Sequence, residues 1–388
     1  MRRGSPLPID PIQRISRDRA VADLARALEA GRRAVATGAA GSSTNLVVAA
    51  LARRLKRPIV LVVAHLDDAD EAEAEIQAMT DGAVPAVLLP ALQALPGESA
   101  VALELFAARL AAVREVISWG EGGEVGAAVV VAPVQALMQG VPDPRAMDSL
   151  SRTIRRGDRL DPTRLAEWLA EAGYRRSDAI EEPGDFAVRG GIVDVFPPAG
   201  GHGETGVPVR LDFFGDEVDR LAEVDLDTMG SDRKIDEVEL IAVREDLVRS
   251  DEKTVSFLEL LPRGCVAVLA ETLEVVEQAR GYYERVSDSR GIEGPPAVLK
   301  RLEALHALCE INQFSAGAGS ADVRIELPVD RLPQFDNDAG KAVAELRELA
   351  GLAEVVVLTK NEGEYARLTE LLELHLGEGA RRIGREHR

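Results

Sequence analysis

Along this chain the hydrophobic positions switch between a helical period and a strand period, and the switches divide it into parts. Val21, Leu24 and Leu28 recur at helical spacing and predict one helix over 11–29, stopped by Gly31. Ala34-Val35-Ala36 reads as a short buried strand. Leu46, Val47, Ala50, Leu51 and Leu55 then form one face of a helix. Ile59-Val60-Leu61-Val62-Val63 is an uninterrupted apolar strand, the kind covered on both faces of a parallel sheet. A helix over 67–79, a strand at 87–89 and an amphipathic helix over 103–116 continue the alternation. Gly140-Val141-Pro142-Asp143-Pro144 reads as a linker, and Asp161-Pro162 as the capped start of a helix with Leu165, Trp168 and Leu169 on its buried face.

From Gly184 the period becomes two. Phe186 and Val188 point one way, Ala187 and Arg189 the other, and Pro197-Pro198 ends the strand. Gly190-Gly191 interrupts the pattern as a bulge or a close backbone approach would. Gly215-Asp216 marks a turn between Phe214 and Val218, and Phe213-Phe214 puts one ring on each face. Beyond Glu245 helices and short strands alternate again: a strand at 265–269, helices over 273–286 and 297–309, and a strand at 323–327. After a boundary at 336–340 come a helix (342–349), a strand (354–358) and a helix (362–376), one unit of a sheet that needs more strands.

Composition narrows the classes. A hydrophobic content of 46% with 29% charged residues over 388 residues suits two to four globular domains. No run approaches the ~18 apolar residues of a membrane helix, and Arg2-Arg3 has no apolar stretch behind it, so a cytoplasmic protein with no membrane partner is expected. Cys265 and Cys309 are too few and too isolated for a disulfide framework or zinc site, and the five histidines lack metal-binding spacing, so no metal is expected. With 46 Lys+Arg against 66 Asp+Glu the net charge is −20, which repels phosphate backbones and makes a protein the first candidate for a partner. The run Arg152, Arg155, Arg156, Arg159 is the local exception.

Strand, glycine loop, helix, strand is the layout of a P-loop. Here the loop Thr37-Gly38-Ala39-Ala40-Gly41-Ser42-Ser43-Thr44 has Ser43 or Thr44 at the lysine position, and no lysine lies between Gly31 and Leu55. Without that charge only amides and the helix dipole remain, a weak anion site. Gly38, Gly41, Ser43 and Thr44 are therefore read as a degenerate nucleotide loop, with no catalytic residue and no cofactor assigned to this chain. Asp194, Asp212 and Asp216 resemble a catalytic carboxylate set only superficially, being explained by strand and turn positions.

The pattern F-x-x-R-G-x-x-x-D-x-F-P at 186–197, followed by R-L-D-F-F-G-D-E-V-D-R at 210–220, closely resembles the second domain of bacterial UvrB and of the transcription-repair coupling factors. The lost loop lysine, and the absence of tyrosine between 89 and 116 where UvrB has a tyrosine-rich DNA clamp, make the coupling factors the nearer likeness. That resemblance implies an α/β fold: a degenerate P-loop (RecA/helicase-like) parallel-sheet domain with an inserted small α+β domain and the start of a third α/β domain. The parts expected are a first half at 1–140, a UvrA-interaction domain at 141–232, completion of the first domain at 233–335, and a truncated third domain at 336–388. It also implies an adaptor role, recruiting UvrA to stalled RNA polymerase. Polymerase, double-stranded DNA, ATP and Mg would be handled by motor regions absent from this chain. The UvrA-contacting arginines of the family fall on Arg176 and Arg189, and a third falls on Ala187, which implies a weaker or rearranged contact. From the residues alone, pairing of both arginines with Asp178, Glu181 or Glu182 competes with that role. The rival readings are a UvrB-type ATP-dependent helicase and a non-specific DNA-binding module built on Arg152–Arg159.

Overall fold

The computed structural model describes residues 10–376 apart from 93–102, 122–125, 199–205, 227, 229, 243–253, 287–288, 315–319, 331, 333, 354, 356 and 358–361. Residues 354, 356 and 358 of the predicted strand at 354–358 and most of the 89–99 stretch lie outside these residues.

In place of one opening helix there are two, α1 (Pro11–Ser16) and α2 (Arg19–Glu29). Asp18 makes the break, its carboxylate accepting the amides of Ala20 (2.8 Å) and Val21 (3.3 Å). There follow β1 (Arg33–Thr37), α3 (Ser42–Leu55), β2 (Pro58–Val63), α4 (Leu66–Thr80), β3 (Ala86–Leu88), α5 (Leu103–Glu121), β4 (Ala128–Pro133) and α6 (Val134–Met138). The stretch that reads as a linker is structured. It forms β5 (Val141–Pro142) and enters α7 (Pro144–Leu150), with Asp143 capping the helix through the Ala146 amide at 2.7 Å.

Next come β6 (Ser151–Arg155), α8 (Pro162–Glu171), β7 (Arg175–Arg176), β8 (Asp185–Arg189), β9 (Ile192–Val195), β10 (Val209–Phe214), β11 (Glu217–Val224), β12 (Ser231–Lys234) and β13 (Glu237–Ile241). The chain then runs through β14 (Thr254–Val255), α9 (Phe257–Leu260), β15 (Val266–Ala270), α10 (Thr272–Arg285), α11 (Pro295–Glu303), β16 (Ala307–Asn312) and β17 (Val323–Glu326) to α12 (Ala339–Leu352) and α13 (Glu362–Leu376).

The architecture is α/β. Seven parallel strands, in the order β17-β1-β16-β15-β2-β4-β3, form the main sheet. β15 and β16 lie between β1 and β2, so the late part of the chain completes the sheet begun by the early part. The apolar runs are covered on both faces: Ile59, Leu61, Val129 and Val131 pack into one cluster with α3 and α4, and Val60, Val62, Val130 and Ala132 into another with α5. The helix predicted over 297–309 is corrected: α11 ends at Glu303, and Ala307–Asn312 is the fully buried strand β16. Cys309 and Cys265 pack there as small apolar groups, both wholly buried, and burial pushes the Cys265 thiol pKa up to about 12.

The second sheet has six strands in the order β12-β11-β10-β9-β8-β7, antiparallel except for β7 with β8. Gly190-Gly191 is a hairpin turn rather than a bulge, because Gly190 at φ +60° takes a backbone that ordinary residues avoid and returns the chain as β9. The close approach expected there is also real: a Cβ on Gly191 would sit 3.0 Å from the Phe213 carbonyl oxygen. Phe186, Val193, Val195, Val209 and Leu211 line the inner face, in one continuous core with α8 and α5. β6 and β13 pair antiparallel where the chain enters and leaves this unit. Among the described residues no helix is long and apolar enough to cross a membrane, and no group of three or more His, Cys, Asp or Glu could hold a metal ion.

Candidate functional site

The two candidate arginines lie at the β7–β8 edge of the six-stranded sheet, and both are exposed. Neither pairs with a carboxylate among the described residues. Arg189 donates twice to the main-chain oxygen of Asp178, at 3.2 and 3.0 Å, and the Arg176 side chain makes no hydrogen bond or ion pair among the described residues. The internal pairing falls instead to Arg175, which sequence reasoning passed over. Its guanidinium meets Asp185 at 2.7 Å and Glu182 at 3.1 Å.

Asp185 is 1% exposed and organises the loop between β7 and β8. Its second oxygen accepts the amides of Glu181 and Glu182, each at 3.1 Å. Burial alone would raise its pKa. Arg175 and the two amides outweigh that and hold the carboxyl below its ordinary value.

Register separates the candidates. Arg175 stands opposite Asp185 and Arg176 opposite Phe186. Side chains alternate along strands, so Arg189 shares a face with Asp185, Ala187 and Arg175, whereas Arg176 starts from the opposite face. It lies about 10 Å further back along the strand direction, three residues of β8 at ~3.3 Å each. A partner touching both must reach around the β7 edge.

Ala187 is not a surface position. It is 1% exposed and packs with Ile180 and Phe196 beneath the 177–183 loop that Arg189 holds. It also begins a cross-strand row, Ala187–Asp194–Arg210–Ala222, in which the two alanines flank a flat ion pair. Arg210 meets Asp194 in two parallel contacts, 2.6 Å (Nε to Oδ1) and 2.9 Å (Nη2 to Oδ2). Asp194 is thereby committed to the fold. Phe186 and Phe196 are core, Phe213 is partly buried, and Phe214 is 84% exposed.

The degenerate nucleotide loop sits at the C-terminal edge of β1, where an open parallel sheet holds its ligands, but several of its amides are taken. Gly38 N donates to the Asn312 and Gln313 oxygens (3.0 and 3.2 Å), Ala40 N to the Ser43 hydroxyl (2.9 Å), and Thr44 and Asn45 N to the Gly41 oxygen (2.8 and 3.2 Å). Gly38, at φ +102°, lies so close under Leu327 that a Cβ there would meet its carbonyl oxygen at 2.7 Å. Beside the first turn of α3 the carboxylate of Glu75 accepts from the Ser42 hydroxyl (2.6 Å) and the Asn45 amide (2.8 Å). An anion already stands near that helix end, and the amides of Ala40, Ser43, Thr44 and Asn45 are engaged within the loop itself. The residues present do not fit a nucleotide.

Residues 153–245 match the family described as the UvrB interaction domain. The chain is 31% identical over 233 residues to the transcription-repair-coupling factor of Bacillus subtilis, covering 60% of this chain and 19% of that protein. Against the transcription-repair-coupling factor of Escherichia coli it is 26% identical over 317 residues, 80% of this chain and 26% of that protein. With UvrABC system protein B of Aliivibrio fischeri it shares 37% over 98 residues, 25% of this chain and 14% of that protein. The chain thus spans about a fifth to a quarter of the coupling factors it matches. The resemblance read from the motifs holds: this chain is similar to the transcription-repair-coupling factors, and the similarity to them runs well beyond the segment shared with UvrABC system protein B.

Proposed function

We propose that this chain is a protein-docking module of transcription-coupled repair that recruits UvrA through the β7–β8 edge of its six-stranded sheet. The observation that carries this is the pair Arg176 and Arg189, exposed and free of carboxylate partners among the described residues in a chain with 20 excess negative charges, inside the segment matched to the UvrB interaction domain. Arginine suits the task because its planar fork meets carboxylates bidentately and sheds water more readily than lysine. Contacts to RNA polymerase and double-stranded DNA, and an ATP-dependent translocase activity, belong in this proposal to other regions of a longer protein of the cytoplasm.

Mixed at low salt, purified chain and UvrA should form a complex that Arg189→Glu weakens by about 2–5 kcal/mol, the range for reversing one partner of a charged contact. Because Arg176 and Arg189 lie on different faces, Arg176→Glu should add to that loss nearly independently. Titration calorimetry of wild type, both single variants and the double variant reads this directly. Absence of a complex with wild type sinks the proposal; strong non-additivity sinks the two-faced contact.

The nucleotide loop is proposed as a scaffold without ligand. Glu75 and the closed loop amides support this reading, together with the missing lysine. Calorimetry with Mg-ATP should show no saturable heat, and ATP turnover by the purified chain would favour the helicase reading instead.

A further inference from the structure

The basic run of the sequence divides on folding. Arg155 pairs with Glu237 at 3.0 Å and Arg156 faces Asp236 at 3.9 Å. Arg152 and Arg159 make no ion pair among the described residues; with Arg164 and the β10–β11 turn at Gly215-Asp216 they line a solvent-facing cavity of about 610 Å³. Backbone contacts build its wall: Leu160 N donates to the Asp216 oxygen (2.6 Å), Gly157 N to the Val218 oxygen (2.8 Å) and Val218 N to the Asp158 oxygen (2.9 Å). The Arg152 guanidinium is held over the Trp168 ring, 5.9 Å from its centre. Two carboxylates also line the cavity: Asp161, which caps α8 through the Thr163 amide (2.8 Å) and feels the charge of Arg164, and Asp216, so that three guanidiniums face two carboxylates. Immediately before Gly215 of the lining, Phe214 leaves 84% of its surface in water.

We propose that this cavity is a docking site for an acidic peptide segment of a protein partner. Carboxylates would enter between Arg152, Arg159 and Arg164, and an apolar side chain next to them would cover Phe214. The cavity is in the range that admits a few side chains, ~300–1,000 Å³. Three guanidiniums against the two carboxylates of Asp161 and Asp216 leave the lining net positive, in a chain where acids outnumber bases 66 to 46, and supply the charge complementarity. The same excess selects the class of partner. A net charge of −20 opposes a polyphosphate chain along its whole length, while a short peptide brings only the few charges the arginines neutralise. An exposed ring beside arginines is the composition of an interface centre. This site uses neither Arg176 nor Arg189 and stands apart from the UvrA reading.

The test uses the full chain, with fluorescence anisotropy of a short labelled peptide of Glu and Asp carrying one Trp and, in parallel, a short labelled oligothymidylate. The peptide should bind saturably. Arg159→Glu with Arg164→Glu should weaken it by about tenfold or more, ~1.4 kcal/mol, and Phe214→Ser should weaken it by a smaller factor. Arg155→Glu, whose arginine is paired elsewhere, should leave binding unchanged, and all variants should keep the wild-type unfolding midpoint. No saturable binding, or equal loss with Arg155→Glu, overturns the proposal. Tighter binding of the oligothymidylate through the same arginines overturns it in favour of a nucleic-acid site.

Discussion

Replacing Arg109 with leucine should destabilise the main domain by about 3–5 kcal/mol. Arg109 projects from α5 into the core, is 3% exposed, and meets no carboxylate among the described residues. It donates to three main-chain oxygens: Pro90 (2.7 Å), Ala136 (2.9 Å) and Gln139 (2.7 Å). Burial drives its pKa down to about 10, partly offset by Tyr282, so it stays charged near neutral pH. Buried side-chain ion pairs are often replaceable by apolar groups at no net cost. Here the acceptors are backbone and cannot be substituted away, and each carbonyl left dry costs about 1–3 kcal/mol. Gln139 raises the stakes, because its side-chain amide accepts from the Leu92 main-chain N and donates to the Leu92 main-chain oxygen (2.8 Å each) and to the Tyr282 hydroxyl (2.9 Å). Urea unfolding followed by the fluorescence of Trp119, which α5 carries against the same core, measures the effect. Arg109→Lys, keeping the charge but losing the fork, should fall between the two. A loss below about 1 kcal/mol for leucine would show that water or relaxation satisfies the three carbonyls.

Asp194→Ala should cost the six-stranded sheet about 3 kcal/mol. Asp194 is 1% exposed and Arg210 sits across the strand with 16% of its side chain exposed. Removing the carboxylate strands a largely dehydrated guanidinium, a change usually worth about 3–5 kcal/mol; the residual exposure of Arg210 sets the lower end. Asp194→Ala combined with Arg210→Met should recover much of the loss, since the row then runs apolar between Ala187 and Ala222. Denaturant midpoints of wild type, both single variants and the double variant decide it, and an equal loss in single and double variants would contradict a pairing role.

Much of the fold was legible from periodicity. The apolar run at 59–63 announced a strand covered on both faces, and Asp161-Pro162 announced the start of α8. β16 was not legible, since Cys309, Glu310 and Asn312 break its apolar run and the preceding Leu302, Leu305 and Leu308 continue a helical spacing. Glu310 is tolerated inside because Arg33 of the adjacent strand pairs with it at 2.9 Å, a contact 277 residues away in sequence. The candidate arginines were found through the motif and both are exposed, but their opposite faces depend on the register of a two-residue strand that no local pattern fixes. Arg109 was hidden for a related reason: a charged residue on an amphipathic helix reads as solvated until the loops that supply its acceptors are placed.

The insertion of β15 and β16 between β1 and β2 has a consequence for synthesis on the ribosome. β2 is complete at Val63 while its neighbour β15 begins only at Val266 and β16 ends at Asn312. At ~5–20 residues per second, roughly ten seconds to a minute passes with the edges of β1 and β2 unpaired. The six-stranded sheet draws all its strands from one contiguous stretch, 175–234, and so finishes first, leaving the nascent parallel sheet as the segment that a chaperone must shield.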